Sequence, residues 1–355
     1  MNFSVRAADK SRIGSINFDD LQFGQDFADH MLICEYRDGE WKTPEIKPYG
    51  PLTFDPSLSA LHYGQSIFEG MKAFYKDSST VHLFRVDDHY ERLVRSCNRM
   101  VIPAPPREMF VEGLQKLMEL DYKWVPNRDE CALYIRPFVF GTDPKIVARP
   151  ADSYLFLIIN SPVGPYYKTG VKPVTLTTSP EYVRAVKGGT GEAKTAGNYA
   201  ASFKPAKEAV NKGFTQVLWL DAIEHRYVEE VGTMNIFFKF KDRLATPALS
   251  GSVLSGINRR SVLELAREMG VQAVEERISI DDLFAAQEKG ELEEIFGSGT
   301  AAVISPVSTI HHEGKTIDVE MKEDSFAKKM RKAITDIQYG KVHDRFGWVT
   351  PVKVG

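Results

Sequence analysis

Residues 188–199 read Gly-Gly-Thr-Gly-Glu-Ala-Lys-Thr-Ala-Gly-Asn-Tyr, and they place one lysine, Lys194, among small side chains. Glycine and alanine put almost no bulk beside this lysine, so the backbone can bend sharply and a flat ligand can approach closely. An ε-amine becomes a nucleophile when its pKa is lowered, which suits such a lysine to covalent chemistry. On glycine and lysine alone, the alternative is a flexible surface loop with an ordinary solvated lysine.

The composition is typical of a folded protein with two domains. The chain has 355 residues, of which 43% are hydrophobic, and that length is more than one typical domain needs. The net charge of −3, with basic residues spread along the chain, gives no reason to expect a nucleic-acid or membrane partner. No stretch reaches the ~20 apolar residues of a membrane span, and the first residues lack a signal-peptide pattern. We therefore expect a cytoplasmic protein.

The cysteines do not form a recognisable framework. There are three, Cys34, Cys97 and Cys131, and no two of them form a Cys-x-x-Cys pair. An odd number at long spacings predicts neither a disulfide scaffold nor a thiolate metal site. We expect free thiols in a reducing compartment and no bound metal.

Apolar runs and helical periodicities alternate in both halves of the chain, which predicts an α/β or α+β fold. Residues 161–173 contain three prolines and two glycines, which favours an interdomain linker there. We predict domains at 1–165 and 181–355, joined through 166–180. Strands are predicted at 29–36, 81–85, 132–140, 153–160, 174–178, 216–221 and 233–240, and helices from Asp87, at 109–118, at 260–269 and from Phe326 to Ile337.

Three arginines on one predicted helix and a single arginine in a predicted strand stand out. In the helix that begins at Asp87, the residues Arg92, Arg95 and Arg99 share one flanking stripe, and periodicity does not choose among them. Arg136 lies inside an otherwise apolar strand. Burial of a guanidinium without a partner is costly, so we expect either a structural carboxylate or a substrate to meet Arg136.

Four features of the second half together suggest a cofactor site. Lys194 lies in its small-residue loop, and the carboxylate pair of 229–233 enters a strand. Residues 256–258 stand before a helix, and 297–300 form a second glycine loop. The last two are natural phosphate cradles, because free backbone amides attract an anion. A lysine, a strand-borne carboxylate and a phosphate cradle are what pyridoxal phosphate requires.

A nucleotide-binding P-loop is the rival explanation for the same stretch. Gly188 with Lys194-Thr195 nearly matches that pattern, and 217–221 could pass for its magnesium-binding strand. However, Ala193 occupies the position where the pattern needs glycine, and residues 181–187 are not a buried apolar strand. Both departures weigh against a P-loop.

With these motifs in place, the sequence resembles the branched-chain amino-acid aminotransferases, which are class IV pyridoxal-phosphate enzymes with the D-amino-acid aminotransferase-like fold. The resemblance runs from about Phe23 to Tyr339. It implies a smaller N-terminal α/β domain and a larger C-terminal domain with a barrel-like sheet that carries Lys194. The motifs that carry it are His62-Tyr63, Phe68-Glu69-Gly70-Met71-Lys72-Ala73, Leu133-Tyr134-Ile135-Arg136-Pro137, Lys194-x-x-Gly197-Asn198-Tyr199, Glu230-Val231-Gly232-Thr233-Met234-Asn235 and Phe296-Gly297-Ser298-Gly299-Thr300-Ala301.

The resemblance implies cofactor roles for matching positions. Lys194 would be the Schiff-base lysine and the proton carrier, Glu230 the partner of the pyridine nitrogen, and Tyr199 the partner of the ring hydroxyl. Arg92 would bind the phosphate as a bidentate fork. The other cofactor-site positions are Arg184, Thr233, Leu254, Gly256, Ile257, Asn258, Ser298, Gly299 and Thr300.

The resemblance also implies a substrate pocket that accepts an aliphatic side chain in one half-reaction and the distal carboxylate of glutamate in the other. Tyrosines suit both because they are apolar on the face and polar at the tip. Arg136 would then meet the second carboxylate. The substrate positions are Phe23, Tyr63, Phe68, Tyr134, Arg136, Tyr166, Met234, Thr300 and Ala301, with Ala148 and its neighbours Ile146 and Val147 reaching in from the second subunit of a homodimer.

Two departures from the family pattern concern the phosphate site and thiol chemistry. Asn258 stands where the family usually has a hydroxyl residue, which puts that side-chain contact in doubt. Ala302 and Ser305 replace the redox Cys-x-x-Cys of mammalian members, so thiol regulation is not expected there.

The hypothesis is therefore ping-pong transamination of leucine, isoleucine or valine with 2-oxoglutarate. A D-amino-acid aminotransferase, an aminodeoxychorismate lyase, a P-loop protein and a catalytically silent binding protein with the same fold are the alternatives.

Overall fold

The structure is a computed structural model that describes residues 1–165 and 172–355. The chain forms two compact units, and each combines strands and helices, so the predicted mixed α/β class is confirmed. The first unit comprises Met1–Lys168, Ala193–Ala196 and Asp336–Gly355, and the second comprises Thr169–Glu192 and Gly197–Thr335.

In the described residues, the strands are β1 (Ser4–Val5), β2 (His30–Arg37), β3 (Glu40–Trp41), β4 (Glu45–Pro48), β5 (Ser66–Phe68), β6 (Met71–Asp77), β7 (Thr80–Phe84), β8 (Ala132–Gly141), β9 (Tyr154–Val163), β10 (Val174–Thr178), β11 (Gln216–Leu220), β12 (Val228–Val231), β13 (Asn235–Phe240), β14 (Leu244–Pro247), β15 (Ala273–Glu276), β16 (Leu292–Gly299), β17 (Val303–His312), β18 (Lys315–Asp318) and β19 (Val349–Lys353). The α-helices are α1 (Ser59–Tyr63), α2 (Val86–Arg99), α3 (Arg107–Asp121), α4 (Ala196–Asn211), α5 (Ile257–Glu268), α6 (Ile280–Glu288) and α7 (Phe326–Gln338). Short 3₁₀ turns occur at Ile13–Ser15 and Tyr122–Trp124.

The first unit is built on a sheet in the order β1-β4-β2-β9-β8-β6-β7-β19, with β3 beside β2 and β5 beside β8. Strands β8 and β9 pair antiparallel along their whole length, from Ala132 opposite Val163 to Gly141 opposite Tyr154. The C-terminal strand β19 pairs with β7. This pairing explains why the end of the chain belongs to the first unit, although the sequence predicted one continuous domain at 181–355.

Helices α2 and α3 cover the core of the first unit. On α3, the buried residues Phe110, Leu114 and Leu117 recur every three to four positions, which gives the helix one apolar face. Leu93 and Cys97 of α2 belong to the same buried cluster. Asp87 and Asp88 occupy the first turn of α2, where acidic groups stabilise the positive end of the helix dipole. The helix predicted from Asp87 is therefore confirmed, one residue earlier.

The second unit is built on a mixed sheet in the order β12-β11-β10-β17-β16-β13-β14-β15, with β18 beside β17. Strand β10 runs parallel to both β11 and β17. Its bounds, Val174–Thr178, match the predicted strand. The predicted linker 166–180 therefore ends in a strand of this sheet, and its residues 166–171 lie outside the described part of the chain.

Three local predictions in the second unit need correction. Residues Gly297–Gly299 are not a loop but the end of β16, because they pair with β17, and the turn begins at Thr300. Thr233 precedes the strand rather than opening it, since β13 begins at Asn235. Helix α5 begins at Ile257, three residues earlier than predicted.

The remaining predictions about composition can be compared directly. Cys34, Cys97 and Cys131 are free and buried, and burial raises the pKa of the Cys34 and Cys97 thiols to about 12. No helix in the described part of the chain is long and apolar enough to cross a membrane.

Candidate active site

The lysine segment is held by hydrogen bonds within the first unit. The Lys194 amide donates to Ser96 Oγ at 2.9 Å, and the Lys194 carbonyl accepts from the Phe68 amide at 2.9 Å. Thr195 donates its hydroxyl to the Ser66 carbonyl at 2.7 Å, and the Lys194 ammonium lies 4.8 Å from the centre of the Phe68 ring. Lys194 was expected in the C-terminal domain, and these bonds explain why Ala193–Ala196 instead belong to the first unit.

Arg92 belongs to a buried polar cluster on α2. Its Nε and Nη2 donate to the two oxygens of Glu69 at 2.7 and 2.8 Å. The Nδ1 of His89, one helical turn earlier, lies 2.8 Å from Glu69 Oε2. Burial opposes the negative charge of Glu69, but Arg92 and His89 outweigh it and hold the pKa of this carboxyl well below its usual range. Burial also lowers the pKa of His89. Arg92 therefore makes its bidentate contact with Glu69, and the bidentate contact to a phosphate stays a prediction.

Arg136 lies among aromatic rings on β8. Its guanidinium carbon is 4.6 Å from the centre of the Phe68 ring and 5.3 Å from that of Tyr134. Its Nη2 donates to the Tyr134 hydroxyl at 3.0 Å, whereas its buried Nε has no hydrogen-bond partner among residues 1–165 and 172–355. No carboxylate in those residues forms an ion pair with it. Of the two partners that the sequence left open, a structural acid is therefore not found there.

The remaining substrate positions of the first unit are more exposed. Phe23 packs edge-on against Tyr134, with ring centres 4.8 Å apart, and Tyr63 ends α1 with 41% of its surface exposed. Residues 146–148 are all exposed, and Tyr166 lies outside the described residues. The structure thus brings Phe23, Phe68, Tyr134 and Arg136 together. The role of residues 146–148 toward a second subunit stays a prediction.

In the second unit, Glu230 is buried and held on both oxygens. Oε2 pairs with Nε of the buried Arg184 at 3.1 Å, and Oε1 accepts a hydrogen bond from the Leu254 amide. Arg184 also donates to the Ser252 carbonyl at 2.6 Å. These contacts fix the carboxylate of β12 in one orientation. A small cleft brings five predicted cofactor residues together, and its lining is Arg184, Asn198, Tyr199, Ser202, Glu230, Gly232, Thr233 and Leu254.

Asn198 ties the start of α4 to the glycine loop. Its side-chain amide donates to the Thr190 carbonyl at 2.8 Å, and its Oδ1 accepts from the Thr190 hydroxyl at 2.7 Å. The next residue is Tyr199, which faces the cleft. The sequence motif contained Asn198, but no role had been inferred for it.

The N-terminus of α5 is shaped by close packing. Gly256 is its N-cap, no side chain caps the helix, and a Cβ at Gly256 would lie 2.0 Å from Asn235 Oδ1. Asn235 in turn donates to the Leu254 carbonyl at 2.9 Å. The Asn258 side chain donates to the Gly299 carbonyl at 3.0 Å. This bond joins the two predicted phosphate loops, so Asn258 has a structural partner in place of the hydroxyl contact usual in the family.

The Met234 side chain packs against Gly297 and Gly299 at the end of β16. A Cβ at Gly297 would lie 2.9 Å from Met234 Cε, and one at Gly299 would lie 3.0 Å from its Cγ. Ser298 between them donates its hydroxyl to the Val303 carbonyl at 3.2 Å. A larger residue at Gly297 or Gly299 would therefore require the Met234 side chain to move.

Comparison with known proteins identifies the family. The sequence model of the family described as "Amino-transferase class IV" matches residues 66–310, more than half of the chain. This chain is a class IV aminotransferase.

Curated relatives of this aminotransferase are similar over nearly the whole chain. It is 51% identical over 335 residues to "Branched-chain-amino-acid transaminase 1" of Bacillus subtilis (strain 168), covering 94% of each chain. It is 45% identical to a "Probable branched-chain-amino-acid aminotransferase" of Staphylococcus epidermidis (strain ATCC 12228 / FDA PCI 1200), covering 98% of this chain and 97% of that one.

Solved structures support the same fold. The branched-chain aminotransferase of Thermoproteus uzoniensis, solved with norvaline, has a TM-score of 0.73 at 26% identity, covering 91% of this chain and 99% of that one. The branched-chain amino acid aminotransferase of Escherichia coli has a TM-score of 0.69 at 25% identity, covering 90% of this chain and 98% of that one.

The aminotransferase fold also answers the P-loop alternative. Residues 181–187 contain no strand, so no buried strand leads into the glycine loop. Asp221, the candidate magnesium ligand, instead accepts backbone hydrogen bonds from Ile223, Glu224, Arg226 and Tyr227. Its carboxylate closes a turn of the aminotransferase. The P-loop hypothesis was wrong.

Sequence reasoning assigned no separate role to Glu229, which lies beside Glu230 on β12. Successive residues of a strand face opposite sides, and Glu229 lines a different cavity, of about 640 Å³. Burial raises the pKa of Glu229 to about 7, although a hydrogen bond from Ser252 opposes this, and the charge of Glu230 raises it further. One oxygen of Glu229 is buried without a hydrogen-bond partner in the described part of the aminotransferase.

Proposed function

We propose that this chain is a pyridoxal-phosphate-dependent enzyme that exchanges the amino group of leucine, isoleucine or valine with 2-oxoglutarate. Relatives that are 45–51% identical over nearly the whole chain carry branched-chain names. The observation that carries the proposal on this chain is Arg136. Its guanidinium lies between aromatic faces, with a buried Nε that has no partner in residues 1–165 and 172–355.

The residues of the second unit fit the cofactor. Gly256 is a position where a Cβ would strike Asn235 at 2.0 Å, and the α5 amides that follow have no side-chain cap, which suits them to a phosphate. Glu230 is an anchored carboxylate, and a carboxylate offers about four acceptor sites, so it can also accept from a protonated ring nitrogen. Bound pyridoxal phosphate supplies an electron sink for the substrate's amino carbon.

Each side chain then has a stated task. The Lys194 ε-amine would hold the cofactor covalently in the resting enzyme, and once the substrate's amino group displaces it, the freed amine would accept and return the proton of the substrate Cα. Glu230 would accept a hydrogen bond from the protonated pyridine nitrogen, and Tyr199 would hydrogen-bond to the ring hydroxyl. Groups of Ile257, Asn258 and Thr300 would hold the phosphate in the second unit, and the family resemblance also assigns the Arg92 guanidinium to it.

The substrate side explains the dual specificity. In the first unit, the rings of Phe23, Phe68 and Tyr134 would exclude water from an aliphatic side chain. Arg136 would bind the distal carboxylate when glutamate or 2-oxoglutarate occupies the same pocket. The carboxylate loses its hydrating water among the aromatic rings, and a charge-assisted hydrogen bond from Arg136 compensates for that loss. We further infer a cytoplasmic homodimer in which the exposed residues 146–148 complete the pocket of the second subunit.

The test is a visible spectrum of the purified protein, titrated with L-leucine and then with 2-oxoglutarate. At neutral pH, L-leucine should remove the visible absorption band of the lysine-bound cofactor. Addition of 2-oxoglutarate should restore that band. Borohydride trapping followed by peptide mass spectrometry should place the cofactor on Lys194. Response to D-alanine instead of L-leucine, or a cofactor on a different lysine, would contradict the proposal. Lys194→Ala should abolish transamination while the protein remains folded.

A further inference from the structure

Three buried polar residues form one stripe on α2. His89, Arg92 and Ser96 are 2%, 4% and 0% exposed, and spacings of three and four residues place them on one face of the helix. Polar side chains buried at this depth require partners. Their partners come from two segments of the first unit: the loop residue Glu69, between β5 and β6, and Lys194.

Glu69 restrains the direction of the Arg92 guanidinium. Glu69 is 0% exposed and holds the Nε and Nη2 atoms at 2.7 and 2.8 Å. A guanidinium is planar and presents its donors in a rigid fork. Fixing the Nε–Nη2 edge therefore also fixes the direction in which the opposite edge, with Nη1, presents its hydrogens.

Glu69 is itself fixed from several sides. His89 Nδ1 lies 2.8 Å from its Oε2, and its own amide donates to the Pro137 carbonyl at 2.7 Å. The preceding residue, Phe68, donates its amide to the Lys194 carbonyl at 2.9 Å. Two consecutive residues therefore hold the arginine on one side and the lysine backbone on the other.

We propose that Glu69 is a positioning residue that aims Arg92 at the cofactor phosphate and sets the spacing between Arg92 and Lys194. This inference rests on the proposed role of Arg92 at the phosphate. It assigns a task to a carboxylate whose charge by itself opposes phosphate binding. A negative group beside an anion site is unfavourable electrostatically, so orientation has to outweigh repulsion for Glu69 to be useful.

Because orientation and repulsion act in opposite directions, the two hypotheses predict opposite changes in phosphate affinity. Glu69→Gln keeps the length of the side chain and removes its charge. If Glu69 orients Arg92, the variant binds phosphate more weakly. If Glu69 only offsets the charge of Arg92, the variant binds phosphate more tightly.

The measurement is cofactor binding to apoenzyme, using pyridoxal phosphate and pyridoxal separately, with fluorescence quenching as the readout. The Kd of pyridoxal divided by the Kd of pyridoxal phosphate measures the contribution of the phosphate, because pyridoxal lacks only that group. A lower ratio means weaker binding of the phosphate. We expect Glu69→Gln to reduce the ratio about 10-fold, the lower end of what outer-sphere partners of a ligand contribute in metal sites. Arg92→Lys should reduce it at least as far, and the double variant should fall no further than Arg92→Lys alone.

Asp121→Asn is the matched control. Asp121 is a 1% exposed carboxylate of the same unit that pairs with His30 Nδ1 at 2.7 Å. Its variant should lower the melting temperature without changing the ratio. If Glu69→Gln does not fold, Glu69→Asp replaces it, because the shorter side chain keeps the charge but cannot hold both nitrogens in the same place; it should also lower the ratio.

The outcomes distinguish the role of Glu69 from the role of Arg92. A ratio that is unchanged or raised in the Glu69 variant, while Arg92→Lys lowers it, overturns the role of Glu69 alone. A ratio that Arg92→Lys leaves unchanged overturns the phosphate role of Arg92, and the role of Glu69 falls with it.

Discussion

Replacement of Arg136 by methionine should separate the two half-reactions of the enzyme. Methionine preserves an unbranched apolar stem against the Phe68 and Tyr134 rings, which lie 4.6 and 5.3 Å from the guanidinium carbon, and it removes the charge. A hydrogen bond to a charged group contributes about 1.5–3 kcal/mol. At about 1.4 kcal/mol per factor of ten, kcat/KM for 2-oxoglutarate should fall roughly 10- to 150-fold. L-Leucine has no distal carboxylate, so its half-reaction should change only slightly.

Single-turnover spectroscopy measures the two half-reactions separately, starting from the enzyme with bound aldehyde or bound amine cofactor. Arg107→Met is the control, because Arg107 is an exposed arginine of the same unit that pairs with Asp87; it should leave both half-reactions unchanged. Equal losses with L-leucine and 2-oxoglutarate would refute the reasoning, since they would mean that Arg136 binds the carboxylate common to both substrates. No loss with either would refute it as well.

Three further variants test the surrounding structure. Gly70→Ala places a Cβ 2.1 Å from the Tyr134 hydroxyl, so it should cost about 1–3 kcal/mol of stability and raise KM for both substrates, as measured by thermal melting and steady-state kinetics. Asn198→Ala removes two hydrogen bonds to Thr190 and should cost about 1–3 kcal/mol, with lower cofactor content per chain. The pKa of Glu229 is raised from 4.5 to about 7, so the folded state holds a proton that the unfolded state releases. Its stabilising contribution is full below pH 4.5 and is lost as the pH rises to 7, at up to about 1.4 kcal/mol per unit. Glu229→Gln should flatten this slope in urea unfolding at several pH values, and an unchanged slope would contradict the assignment.

The strands could be predicted where the sequence is continuously apolar. Residues 132–140 and 153–160 became β8 and β9 with small shifts at their ends, because a run that is buried on both faces has few alternatives. Prediction failed where strand pairing overrides the local preference of the residues for a turn. Gly297-Ser298-Gly299 has the composition of a turn, yet antiparallel pairing with β17 extends β16 through it. Pairing partners from elsewhere in the chain cannot be read from three residues.

The candidate site shows the same division. Tyr199, Glu230 and Thr233 were predicted from the resemblance of their motifs to the family, and they line one cleft. Tyr199 and Glu230 belong to separate motifs, so spacing alone could not have placed them side by side. The unit to which Lys194 belongs could not be predicted. It depends on hydrogen bonds that residues 194 and 195 form with Ser66, Phe68 and Ser96, which lie 98 to 129 positions earlier in the chain.

The three arginines of α2 show what non-local contacts add to a periodic pattern. Helical periodicity alone did not distinguish Arg92, Arg95 and Arg99, because spacings of three and four residues place all of them on one flank of the helix; only the family resemblance chose Arg92. In the structure Arg92 is 4% exposed, whereas the side chain of Arg95 is 50% exposed and pairs with Glu91 on the helix surface. The difference comes from Glu69, since a guanidinium can remain buried only beside a group that compensates its charge. The position of Glu69 in the Phe68-Glu69-Gly70 motif therefore determines which arginine of α2 is buried, and the two segments have to be read together.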